Sequence, residues 1–347
     1  MAERQSRGAP SFRMSQRRRR VLAALGIVTG LCVLLMVAAL VFVEPRTALL
    51  RALFEAGNSQ TVEPGFSTIA ASVKVTRDVV VPVSGEPEAR LDVYQPEGPS
   101  AGILPLVLLV HGGGFIAGDK SSIAEYATRL ASEGYVVASV GYTLAPQSLY
   151  PTPIRQVNAA LREFITQSGR FGGDPNRVFI GGDSAGAQIA SQVAAVQSNP
   201  DLAAAMNLTP AVPVSALRGT LLFCGLYDMA TVGATGFPGL DTFMAAYLGD
   251  EDWAEAARID ELSTTSHVSP AYPPTLLVVG DADPFESQAF ELEKILRSNG
   301  VDVTTQYWTG SGRNLGHEYQ YLFDLPEAHT TFIATLAFLE ENAGTTG

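Results

Sequence analysis

The sequence predicts an α/β fold, a mostly parallel central sheet with helices on both faces, preceded by an N-terminal transmembrane helix. Three observations predict it. Strand-like and helix-like segments alternate from residue 72 to the C-terminus, the pattern of a parallel sheet built from crossover units. The strand-like segment at 103–110 is a continuous apolar run, as in a strand covered on both faces. Finally, residues 21–43 are apolar without one charge and stand directly after four arginines at 17–20.

Along the chain, residues 1–20 hold seven Arg and one Glu and read as a basic cytoplasmic tail. As a helix, residues 21–43 would be roughly 35 Å long, against about 30 Å of hydrocarbon core. Positive flanks stay cytoplasmic, so the N-terminus faces in and the body faces out. A cleaved signal peptide, leaving a secreted body, is the rival; it has an apolar region of about 7–15 residues and a small-x-small cleavage site. Val43-Glu44-Pro45 offers no such site, which favours an uncleaved anchor. Residues 44–65 form a connector. Within it, 47–56 read as an amphipathic helix with Leu49, Leu50, Leu53 and Phe54 on one face, lying on the membrane or packing on the body.

The body, residues 66–347, reads as one domain. Strands are expected at 73–81, 91–94, 103–110, 135–140, 177–180, 219–224, 275–279 and 303–307, and helices at 121–132, 153–167, 185–197, 285–298 and 326–341. Two strands before the first helix suggest an antiparallel edge. Residues 229–266 break the rhythm and read as a lid or insertion over the sheet top, where Phe243, Tyr247 and Trp253 are either pocket wall or ordinary core.

The chain is 46% hydrophobic and 17% charged with a formal net charge of −12, which excludes a mostly disordered protein. Beyond residue 20 the formal charge is −18, and an acidic chain repels phosphates, so nucleic acid is not an expected partner. Two cysteines make neither a disulfide framework nor a zinc ribbon. Cys32 lies in the apolar span and Cys224 in a strand, so they should not pair. No H-E-x-x-H or C-x-x-C spacing is present, and no metal or cofactor is expected. Oligomeric state has no signature in the sequence.

Active sites of such sheets gather at the carboxyl ends of the strands. After the strand at 177–180 comes Gly181-Gly-Asp-Ser-Ala-Gly186, a G-x-S-x-G with Ser184 at its centre. A serine on a sharp strand-to-helix turn is exposed as a nucleophile, and the helix N-terminus behind it favours negative charge. Asp183 reads as a turn residue. After the strand at 103–110 comes His111-Gly-Gly-Gly-Phe115, whose glycines let backbone N–H groups approach a developing oxyanion. Gly113, Gly114 and Ala185 are the expected donors, and His111 shapes the loop. A phosphate loop is a poor match, because Asp119 intervenes between Gly118 and Lys120.

A hydrolase of this kind runs nucleophile, acid, base along the chain. His317, in the glycine-rich stretch 310–317, is the expected base; His329 falls in the following helix. For the acid, Asp283 leads, with Asp281 and Asp228 as alternatives. Asp283 precedes Pro284 at a helix start, and Asp228 follows the strand at 219–224.

These motifs, HGGGF, GDSAG and Asp-Pro followed by a late His, resemble the α/β-hydrolase fold, specifically hormone-sensitive-lipase-like esterases and carboxylesterase or feruloyl-esterase-like relatives. Tyr142-Thr-Leu-Ala-Pro-Gln147 is similar to the YRLAPE segment of that group, with Thr143 and Gln147 in place of Arg and Glu. The third residue of the acid motif is Phe285 where the group often has Leu. The resemblance covers about residues 70–345. It implies a serine carboxylesterase acting on a small-molecule ester through an acyl-enzyme, with Ser184, Asp283 and His317 as the triad and no cofactor. Lipase, deacetylase, lactonase and amidase chemistry use the same triad, and a non-catalytic binding module on the same fold is a further alternative.

Overall fold

A computed structural model describes residues 16–57, 63, 65–98 and 102–344, with the side chains of residues 35, 36 and 38–41 outside the description. The basic tail up to residue 15 and most of the connector between 58 and 64 therefore lie outside the described residues.

Eight strands form one sheet: β1 (Val73–Val81), β2 (Ala89–Pro96), β3 (Leu104–Val110), β4 (Val136–Gly141), β5 (Gly173–Asp183), β6 (Leu217–Phe223), β7 (Thr275–Val279) and β8 (Val303–Tyr307). Their order is β1-β2-β4-β3-β5-β6-β7-β8. β2 pairs antiparallel with both β1 and β4, and every other pairing is parallel. The antiparallel edge expected from two early strands is thus present. β5 starts four residues before the expected point, because Gly173 and Asp174 already pair with Leu104 and Pro105 ahead of a register shift. Charged and turn-forming residues at 174–177 masked that extension.

Side-chain alternation divides the interior. Leu106, Leu108 and Val110 of β3 join one core and Val107 and Leu109 the other, the period-two pattern of a strand buried on both faces. The first core is closed by the helices Thr152–Thr166 and Ser184–Ser198, which present Ile154, Val157, Leu161, Ile189 and Val193. The second is closed by Ala124–Ser132 and Pro326–Ala343 through Tyr126, Leu130, Phe338 and Leu339. Residues 229–266 hold only short helices, the longest being Leu240–Leu248. Phe243, Tyr247 and Trp253 within it are buried in the first core. Cys32 and Cys224 are both free.

Among the described residues no helix is long and apolar enough to cross a membrane. The leader is a helix over Gln16–Val41, and its described apolar side chains, Val21, Ile27 and Leu34 among them, are exposed. One residue, Phe42, separates it from a second helix, Val43–Gly57. That helix packs on the body, one of the two placements expected for it. Leu50 and Phe54 meet the first core while Leu49 and Leu53 stay exposed, so the four apolar residues grouped together in the sequence do not share one buried face.

Candidate active site

The segments that follow β3, β5 and β8 converge on one cavity of about 730 Å³. Val110 of β3 pairs with Gly182 of β5. The loop after β3 and the turn after β5 therefore leave the sheet side by side, at the point where β3 is flanked by β4 on one side and β5 on the other.

Ser184 is the first residue of its helix and carries φ +52°, a left-handed conformation that costs a non-glycine residue of order 1–3 kcal/mol and recurs at functional sites. Its Oγ lies 2.9 Å from His317 Nε2, and His317 Nδ1 lies 2.9 Å from Asp283 Oδ2. The other Asp283 oxygen accepts the Phe285 N–H at 2.8 Å, so the carboxylate is held at both ends. Phe237 and Phe285 stack on each other at 4.3 Å and both meet the His317 ring edge-on. The imidazole is thus clamped by rings on its flank and by oxygen atoms at each nitrogen.

The two rival acids stand elsewhere. Asp281 accepts N–H bonds from Arg313 and Leu315 and the Ser311 hydroxyl, shaping the loop before His317; these bonds hold its pKa below the ordinary carboxylate value. Asp228 accepts from the Ala230 N–H and the Thr231 hydroxyl. Cys224, Asp283 and His317 are the one trio among the described residues close enough to share a metal ion, but two of its members are the relay itself.

Electrostatics set the protonation states. Burial opposes charge on His317, but the neighbouring Cys224 sulfur and the Asp283 carboxylate hold its pKa well above the ordinary histidine value. Burial pushes the Cys224 thiol up to about 11, so it is neutral at neutral pH and the Asp283 charge is the effective cause. His111 is the opposite case. Burial lowers it to about 4, so its ring is neutral; Nδ1–H donates to Gly112 O at 2.8 Å, and the ring stacks on Tyr142 at 4.4 Å.

Gly113 has φ +98°, and a Cβ there would fall 2.3 Å from Ala117 O, so only glycine fits this turn. Among the described residues, the N–H groups of Gly113 and Gly114 have no protein acceptor. Those two loop N–H groups and that of Ala185, in the first turn of the Ser184 helix, are unspent donors of the kind that stabilise an oxyanion. Asp183 ties loop and turn together: Oδ2 accepts the Gly112 N–H and Oδ1 the Tyr321 hydroxyl, each at 2.9 Å. Burial and the carboxylate of Glu318 hold the Asp183 pKa well above the ordinary carboxylate value.

Several wall residues carry no local sequence signal. Phe237 comes from the 229–266 insertion, Glu318 and Tyr321 follow the histidine, and Phe54 and Glu55 come from the helix Val43–Gly57. Of the insertion's other aromatics, Phe243 backs Gly114 from the core and Tyr247 stacks on Phe115; neither lines the cavity.

A family model described as alpha/beta hydrolase fold matches residues 107–316. Versiconal hemiacetal acetate esterase of Dothistroma septosporum is 24% identical over 292 residues, 79% of this chain and 82% of that protein. An isoprenylcysteine alpha-carbonyl methylesterase of Arabidopsis thaliana is 32% identical over 143 residues, 40% of this chain but only 33% of that protein. Among solved structures, esterase B of Lactobacillus rhamnosis superposes with a TM-score of 0.75 at 26% identity, over 88% of this chain and 95% of that one. A bacterial heroin esterase, 23% identical with a TM-score of 0.69 over 86% and 91% of the two chains, shares the fold. With esterases as its relatives and structural neighbours, the chain belongs to the alpha/beta hydrolase fold family, in its hormone-sensitive-lipase-like group, and is a hydrolase acting on ester bonds.

Proposed function

We propose that the chain is a serine carboxylesterase working through an acyl-enzyme, with Ser184, His317 and Asp283 as its triad. The observation that carries this is the unbroken relay, Ser184 Oγ to His317 Nε2 and His317 Nδ1 to Asp283 Oδ2, each at 2.9 Å, with Ser184 and His317 lining one cavity. His317 Nε2 takes the hydroxyl proton as Ser184 Oγ bonds to the ester carbonyl carbon. The carbonyl oxygen becomes an oxyanion facing the N–H groups of Gly113, Gly114 and Ala185. Asp283 stabilises the imidazolium and fixes its tautomer. On collapse the C–O bond to the alcohol breaks and His317 protonates the departing oxygen. Water then attacks the acyl carbon, losing its proton to His317, and Ser184 is regenerated as the acid leaves. The cavity falls within the roughly 300–1,000 Å³ usual for small ligands, in keeping with a small-molecule ester.

A fluorophosphonate probe tests the assignment. Peptide mapping is expected to recover a single adduct at Ser184, with p-nitrophenyl acetate hydrolysis lost in proportion to labelling. An adduct elsewhere with full inactivation would overturn the assignment.

We infer in addition that residues 21–43 anchor the chain in a membrane, N-terminus cytoplasmic and catalytic domain outside. Support comes from the uncharged 23-residue sequence and the arginines at 17–20 that precede it. The full chain is expected to sediment with membranes after alkaline carbonate washing, and a reporter fused after residue 344 to be active only outside the cytoplasm. Release by carbonate, or cytoplasmic reporter activity, would refute the anchor or its orientation.

A further inference from the structure

The helix Val43–Gly57 lies outside the stretch matched by the family, yet it reaches the catalytic loop at two points. The first is Phe54, whose Cε2 stands 3.2 Å from where a Cβ on Gly114 would be, and which lines the cavity beside Ser184. The second is Arg51. Its Nε donates to Ile116 O, and its Nη2 donates to Ala145 O at 2.8 Å and to Gln147 Oε1 at 3.2 Å. The guanidinium therefore bridges two backbone segments with its fork, a geometry that an ammonium group does not reproduce.

Ile116 is part of the turn that sets the oxyanion donors. Its N–H and that of Ala117 donate to Gly113 O at 3.1 and 2.9 Å. Ala145, the other end of the fork, donates its own N–H to Phe115 O at 2.9 Å. Arg51 thus closes a ring of hydrogen bonds, 113 to 116 to Arg51 to 145 to 115, around the segment that carries Gly113 and Gly114. Preorganised donors stabilise an oxyanion only if they are held in place before charge develops. A guanidinium bound to two carbonyls costs more to displace than neutral contacts would.

We propose that Arg51 is a positioning residue for the oxyanion loop, so that the helix following the leader is a working part of the catalytic site. Arg51 touches neither substrate nor nucleophile; it acts through Ile116 and Ala145. A domain beginning at residue 66 lacks this brace and the Phe54 wall, and is expected to be a weak enzyme even when folded. The proposal rests on the serine-esterase reading, and its test separates the two.

The experiment compares full-length wild type, Arg51→Ala, Arg51→Lys and the exposed control Leu49→Ala on p-nitrophenyl acetate, whose acyl group is too small to need the Phe54 wall. A trifluoromethyl ketone, which binds as a tetrahedral oxyanion, reports the donors directly. Arg51→Ala is expected to lose roughly 10- to 100-fold in kcat, below the 10²–10³ seen when a donor itself is removed, with KM little changed. The inhibition constant of the ketone should rise in step, and millimolar guanidinium should restore part of both. Arg51→Lys should fall between, and Leu49→Ala should match wild type. Wild-type kcat and ketone affinity in a folded Arg51→Ala would overturn the proposal, as would a rise in KM alone. If Arg51→Ala does not fold, Arg51→Lys carries the same test, and wild-type kinetics there would overturn it. Failure of the wild type to hydrolyse any ester would instead sink the esterase reading.

Discussion

Ser184→Ala is expected to lower kcat for ester hydrolysis by about 10⁶-fold, and Asp283→Asn by roughly 10³–10⁴-fold, with KM changed little in either. The difference follows from what each atom does. Ser184 Oγ is the only group that forms the acyl bond, whereas Asp283 acts through His317. Asparagine at 283 keeps an oxygen for the Phe285 N–H, which the native Oδ1 accepts at 2.8 Å. Its amide nitrogen then faces His317 Nδ1 and, being a donor, forces the proton onto Nε2. That is the nitrogen 2.9 Å from Ser184 Oγ that must accept a proton. The double variant should be no slower than Ser184→Ala alone, because the relay works as a unit.

The pH profile gives an independent reading of the same relay. The base must be neutral to accept a proton, and His317 titrates above the ordinary value of 6.5. Activity should therefore rise with pH along an acid limb displaced above that value. Asp283→Asn removes the negative charge that holds the imidazolium, so the residual activity should show this limb at lower pH. Asp281→Asn and Asp228→Asn, whose oxygens hold loops and not the histidine, should keep the wild-type limb and kcat within severalfold. A displaced limb in Asp228→Asn and none in Asp283→Asn would reassign the acid.

Much of this site is legible in the sequence because its chemistry sits in local patterns. G-x-S-x-G and the glycine run after His111 are dictated by contacts within a few residues of the strand ends, and β3 announces itself as a continuous apolar run, with β4 and β7 nearly so. Local pattern favours Asp283, which precedes Pro284 at a helix start, but leaves Asp228 and Asp281 open, since each follows a strand near the sheet top and the path of the 310–317 loop decides which carboxylate meets the histidine. Arg51, Phe54, Phe237 and Glu318 were invisible for a related reason. Their roles come from long-range docking, Arg51 to Ala145 across 94 residues for example, and an arginine on a short amphipathic helix carries no mark of the carbonyls it will meet. The helix itself was foreseen; that it serves the catalytic loop was not.

Gly186→Ala is expected to cost about 3 kcal/mol, near the top of the usual range for overpacking, which for a domain of this size lowers Tm by roughly 6–12 °C. The sign is opposite to the ordinary effect of that substitution, since alanine in a helix gains about 1 kcal/mol over glycine. Here a Cβ would lie 2.1 Å from Val110 O and 2.5 Å from His111 O, both backbone atoms at the end of β3. Neither can swing aside as a side chain would. Relief requires moving the Ser184 helix or the end of β3, and Gly182, whose own Cβ would lie 2.4 Å from the same Val110 O, shows that strand β5 is equally close. The helix, β3 and β5 meet backbone to backbone at this point, and that contact places Ser184 beside the Gly113–Gly114 loop. The folded fraction of Gly186→Ala should therefore also lose activity, because a shift of even half an ångström separates nucleophile from oxyanion donors. Gly169, a helical glycine with nothing within 4 Å of its Cβ position, is the internal control: Gly169→Ala should leave Tm and kcat at the wild-type level or slightly raise Tm. Thermal melts of the two variants decide the matter, and a Gly186→Ala protein as stable as Gly169→Ala would mean that the turn carrying Ser184 is not held by this contact.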